Sequence, residues 1–164
     1  MEPSPERTES GLLHPNLASA SPWRWLELVF LWVTSIILWV TAVAKLASVF
    51  GASATSKVLF TADPVFGLLN RNLMLASSAL ELGAVMAFMS PISARAKCAI
   101  AACLGTVFLG YRLALYMVGF KGWCGCLGEF GKALFVDPSV QGGVLTAVGL
   151  WMVIGGTVLN MARR

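Results

Sequence analysis

The sequence predicts an all-α fold, a four-helix bundle integral to a membrane, and three observations predict it. Of the 164 residues, 57% are hydrophobic and only 12% charged, against roughly 25% charged in an ordinary soluble domain. Mean hydropathy is +0.77. Four apolar stretches each approach the roughly 20 residues that a helix needs to cross about 30 Å of hydrocarbon. Such a chain lacks the polar surface to cover a water-soluble domain, which excludes an ordinary soluble enzyme. The net charge is +4, but the basic residues are scattered rather than gathered with aromatics into a patch. They read as membrane-flanking charges, and no nucleic-acid partner is expected.

Residues 1–22 are polar, acidic and rich in Pro and Ser. They lack the basic start and short apolar core of a cleavable signal peptide, so the expectation is a disordered tail ahead of an uncleaved first helix. His14 lies in this tail and is assigned no role. A single transmembrane domain is expected over 23–164, with helices at about 23–48, 72–90, 96–120 and 142–162. The first has its apolar centre at Trp25–Ala44 and follows Ser21-Pro22, an N-cap and a first-turn proline. The second, Leu73–Met89, is the shortest and contains Glu81. The third, Ala99–Phe120, contains Arg112. The fourth, Val144–Met161, is apolar apart from Thr and Asn160. Lipid leaves backbone groups no water partner, so all four read as helices, and no alternating pattern suggests a β-barrel.

Orientation follows from basic residues near helix ends. Arg7, Arg24, Arg95, Lys97, Arg163 and Arg164 share one side, whereas Lys57, Arg71, Lys121 and Lys132, with Lys45 at the border, share the other. Six against four or five favours both termini in the cytoplasm, with segments 45–72 and 121–142 facing outward.

Glu81 and Arg112 each lie about eight residues below the outer ends of their helices, roughly 12 Å at 1.5 Å per residue. An ionisable group at membrane depth costs about 2.5–3.5 kcal/mol on insertion scales and calls for a partner. The expected pairing is therefore Glu81 with Arg112, either as a clamp on helix register or as an electrostatic floor beneath an outward-facing site. Lys45 either joins this cluster or extends to the interface.

Cys124-Gly-Cys126 stands in GFKGWCGCLGEFGK just after the third helix. Thiols this close can bridge in an oxidising compartment, through a small strained ring that is easily reduced. Gly125 eases the backbone and Lys121 favours the thiolate. A redox-active pair is the leading reading, with a static disulfide or a soft-metal site for copper(I) as alternatives. Cys98 and Cys103, about 140° apart around the third helix, are expected to fill a helix interface rather than to bridge. No cofactor is indicated; quinone-linked reoxidation and copper are compatible with the pair without being signalled by it.

Further motifs occur in order along the chain: Ala44-Lys45-Leu46, Asp63-Pro64-Val65-Phe66-Gly67-Leu68, Glu81-Leu82, Tyr111-Arg112 and Cys124-Gly-Cys126-Leu-Gly128. Together they resemble the MauE/DoxX-like family of redox-associated four-helix membrane proteins over about residues 25–160. The last stretch is similar to the Cys-x-Cys-Phe/Leu-Gly signature of MauE-type members and is the most specific part. The resemblance implies that Cys124 and Cys126 exchange electrons or disulfides with an extracytoplasmic thioredoxin-like or disulfide-containing protein, at a bacterial inner membrane. The different-class alternative is a non-catalytic scaffold or assembly subunit, in which the pair pins the outer loop. Segment 45–72 is expected to pack over the bundle or to form a lid over the cysteines. Either that segment or 127–142 could dock a soluble partner. The sequence does not specify the oligomeric state.

Overall fold

A computed structural model describes residues 22–51, 57–120 and 137–162. Four long helices carry the fold: α1 (Pro22–Phe50), α2 (Asn70–Met89), α3 (Ala94–Met117) and α4 (Pro138–Met161). Each is long and apolar enough to cross a membrane. The chain is a multi-pass, all-α membrane protein in which α1 packs most extensively on α2 and α3 on α4.

Local chemistry sets the ends. Pro138 occupies the first turn of α4, where its missing N–H is no loss, and the Asp137 carboxylate accepts from Ser139 N at 2.8 Å. That hydrogen bond holds the exposed Asp137 carboxyl below the usual carboxylate range. Ser93 accepts from Ala96 N at the start of α3. α3 ends in a left-handed Gly119 (φ +68), whose N–H reaches Tyr116 O while Phe120 N reaches Leu115 O. At the far end of α2, Lys97 Nζ donates to Phe88 O at 2.6 Å and so satisfies a terminal carbonyl.

The helices are apolar outside and mixed inside. Along α1, Trp25, Leu28, Trp32, Ile36, Trp39 and Val43 are exposed at helical spacing, as lipid contact requires. The opposite face buries Phe30, Leu38, Ala42 and Val49, and with them Glu27, Thr34, Ser35, Lys45 and Ser48. Buried hydroxyls turn back onto their own helices: Ser35 donates to Leu31 O, Ser48 to Ala44 O and Ser78 to Met74 O. The central core joins Phe30 and Leu38 to Ala84, Phe88, Ala101, Leu104 and Met152. A smaller cluster of Val49, Leu59 and Met74 seats the short 3-10 turn Lys57–Phe60 against α1 and α2.

α3 and α4 meet through glycine. A Cβ on Gly105 would stand 2.8 Å from Met152 Cβ, one on Gly149 2.9 Å from Leu109, and one on Gly156 2.7 Å from Cys98 O. Gly142, Gly149 and Gly156 recur every seven residues of α4 and all face α3. In lipid, where apolar side chains gain little by leaving one hydrocarbon for another, such close backbone approach holds helices together.

Candidate functional site

The interior polar residues of α1 and α2 meet near the end of the bundle that carries residues 57–69. Met74, Ser78, Glu81, Ala84 and Phe88 form the buried stripe of α2, and Lys45 falls on that of α1. Lys45 Nζ donates to Glu81 Oε1 in an ion pair, the two residues being 3% and 1% exposed. The ammonium also lies 5.8 Å from the centre of the Phe108 ring of α3. Each charge thus supplies the partner that membrane depth demands of the other. Glu81 Oε2 is buried and has no hydrogen-bond partner among the described residues.

This differs from the expected pairing of Glu81 with Arg112. Equal depth does not decide which way side chains face. Glu81 lies on the seam of α2 that packs against α1, whereas α2 and α3 touch only sparsely. Lys45, with its long apolar stem, completes the reach from α1. Arg112 instead lies one helical turn from Phe108 on α3, half-buried, with its Nε unpartnered among the described residues. Its guanidinium occupies the space beside Gly142 of α4, where any Cβ would collide with Nη2. The neighbouring Gln141 is 1% exposed. Sequence reading missed both α4 residues, although a Gln-Gly-Gly at the first turn of an apolar helix is a visible interruption.

The Asp63–Leu68 motif folds into a tight turn against the same end. Asp63 Oδ1 accepts from Val65 N and Phe66 N, both at 2.9 Å, and Asp63 O accepts from Gly67 N at 2.8 Å. Gly67 takes the positive φ (+66) that lets the chain reverse, and Ala62 pairs with Leu69 across it. Asp63 Oδ2 accepts from Tyr111 Oη at 2.5 Å, and the Phe66 ring stacks on Tyr111 at 5.9 Å and 6°. The connection between α1 and α2 is thereby fastened to α3, one residue from Arg112. Sequence reading singled out both motifs but not their contact.

Cys124 and Cys126 lie outside the described residues, as does His14. Their segment starts after Phe120 and ends before Asp137, both at the end of the bundle that holds Arg112 and Gln141. Of the other cysteines, Cys98 is buried on α3 against Gly156, as expected, but Cys103 is exposed and faces outward rather than filling an interface. Its position five residues on from Cys98 turns it away from α4. Among the described residues no three His, Cys, Asp or Glu side chains gather to hold a metal. No protein-family model, curated protein or solved structure matches the chain, so these comparisons do not bear on the MauE/DoxX resemblance.

Proposed function

We propose that the protein is a membrane component of thiol–disulfide exchange whose Cys124–Cys126 pair acts on the cysteines of an extracytoplasmic thioredoxin-like or disulfide-containing partner. In this reading it sits in a bacterial inner membrane with both termini in the cytoplasm. When the pair is oxidised, a partner thiolate attacks one sulfur, a mixed disulfide forms, and the other cysteine leaves as thiolate. The partner's second thiolate then attacks the mixed disulfide. The partner departs as a disulfide and the pair as a dithiol, two electrons and two protons having moved to the pair. The reverse sequence reduces the partner.

One observation supports this reading. The interior polar groups of the helices, Lys45, Glu81, Arg112 and Gln141, together with the Asp63–Tyr111 fastening, occupy the end of the bundle where the cysteine-bearing segment begins and ends. In this reading Lys45 and Glu81 fix α1 against α2, and Arg112 fills the space beside Gly142 between α3 and α4, the two helices that flank the pair. A second reading, a scaffold subunit with a structural disulfide, is favoured by a different fact. Lys45 and Glu81 neutralise each other's charge within the chain, as structural fasteners do.

Thiol alkylation in membranes equilibrated with graded thiol buffers separates the two. Exchange predicts a reducible pair with a midpoint above about −250 mV, reached by an impermeant reagent from outside. A pair that resists reduction below about −300 mV makes it a staple and supports the scaffold. Stoichiometric copper(I) binding lost in Cys124→Ser would replace both with a metal site.

A further inference from the structure

We infer that a cleft at the opposite end of the bundle, between the starts of α1 and α3, binds the phosphodiester of an anionic phospholipid. The cleft holds about 210 Å³ and is lined by Arg24, Glu27, Leu28, Leu31, Ile92 and Lys97, with Ala94. Its lining is ordered as a lipid is ordered. Arg24, Leu28 and Leu31 follow one another at i, i+4 and i+7 on α1, so the two leucines descend about 6 and 10 Å along the helix axis from the guanidinium. Cation at the surface and hydrocarbon beneath it match a headgroup above its acyl carbons. Trp23 and Trp25, 48% and 66% exposed, stand at the level of Arg24, and such indoles settle at the membrane–water boundary.

Charge and donor geometry select the headgroup. Arg24 and Lys97 against Glu27 leave one net positive charge, the complement of a single phosphodiester. Lys97 Nζ already donates one hydrogen bond to Phe88 O at 2.6 Å. That bond anchors the ammonium at the end of α2, and its two further N–H groups remain to serve a phosphate oxygen. Arg24 offers a planar fork suited to phosphate. The first turn of α3, where Ala94 and Lys97 line the cleft, adds the positive end of a 24-residue helix. Free inorganic phosphate shares this chemistry, but Leu28, Leu31 and Ile92 would give it nothing. The apolar wall therefore assigns the site to a lipid. A monoanionic headgroup such as phosphatidylglycerol fits, and a zwitterionic choline headgroup carries a surplus cation into a basic cleft.

Native mass spectrometry of the full chain, released from detergent carrying equal dioleoyl phosphatidylglycerol and dioleoyl phosphatidylcholine, tests this. The expected result is preferential retention of phosphatidylglycerol, with the preference falling about fivefold for each charge removed in Arg24→Gln and Lys97→Gln. Lys97→Arg should keep it, and Lys57→Gln at the other end should leave it unchanged. Equal retention of the two lipids by the unaltered protein overturns the proposal without recourse to any variant. So does a preference that survives Arg24→Gln/Lys97→Gln. Displacement of phosphatidylglycerol by millimolar inorganic phosphate would instead make this a free-anion site and overturn the lipid assignment.

Discussion

The two helix pairs of this bundle are held by opposite means. α1 and α2 meet across a seam that contains charge: Lys45 and Glu81 engage each other in the interior, beneath buried hydroxyls that bond to their own backbones. α3 and α4 meet across a seam without charge in its middle, where Gly105, Gly149 and Gly156 let the side chains of Met152 and Leu109 and the backbone at Cys98 come close. The first seam fixes register by a directional contact whose loss strands a charge. The second fixes it by shape, and its failure is a collision. A bilayer permits both because neither relies on driving apolar surface out of water.

The largest effect should come from the charged seam. Lys45→Met leaves Glu81 buried without its cation, and breaking such a pair costs about 3–5 kcal/mol. Lys45→Met/Glu81→Met removes both charges and should restore most of that loss, as read from equilibrium unfolding in mixed SDS micelles. A single variant as stable as the parent would mean that the pair carries no register. On the glycine seam, Gly156→Ala thrusts a Cβ to 2.7 Å from Cys98 O, a backbone atom that cannot yield alone, and should cost about 1–3 kcal/mol. Gly83→Ala on α2, with open space around it, should be neutral or stabilising by the same assay. If both glycines tolerate alanine alike, the contrast between the seams collapses.

Smaller effects probe what ties the two pairs together. Tyr111→Phe frees Asp63 Oδ2 from its donor and should cost about 1 kcal/mol, while the hairpin amides of Val65 and Phe66 exchange faster. Unchanged exchange would show that the turn stands without α3. The smallest effect concerns the Asp137 cap. Its carboxyl titrates below its unfolded value of 3.8, so the cap's contribution is present above that pH and lost as pH falls through the folded value. Protection of the Ser139 amide should decline over that window, and Asp137→Ala should remove the dependence.

Much of this was legible in advance, and for physical reasons. Twenty-residue apolar runs admit few structures in lipid other than helices, so four runs became four helices. Asp63-Pro64 and Gly67 announce a turn because each residue type answers a particular backbone need. The pairing of Glu81 was not legible, since depth along a helix follows from counting but azimuth depends on which neighbour packs where. Arg112 has a suitable depth, yet Lys45 has the facing seam. The seven-residue recurrence of Gly142, Gly149 and Gly156 was present in the letters and signals a close helix contact, but a glycine in an apolar run is easily read as filler. Cysteine chemistry was the strongest motif, and its residues stand outside the described part of the chain.

The polar face of α1 also bears on how the protein is made. In chain order α1 precedes α2 and presents Glu27, Thr34, Ser35, Lys45 and Ser48 along one side, while the carboxylate that pairs with Lys45 lies 36 residues downstream. During synthesis there is an interval in which the lysine has no acid to meet and must reach for the aqueous boundary. Both charges have a partner at membrane depth only once α2 stands beside α1, so the cost of burying them is met by the helix pair and by neither helix alone.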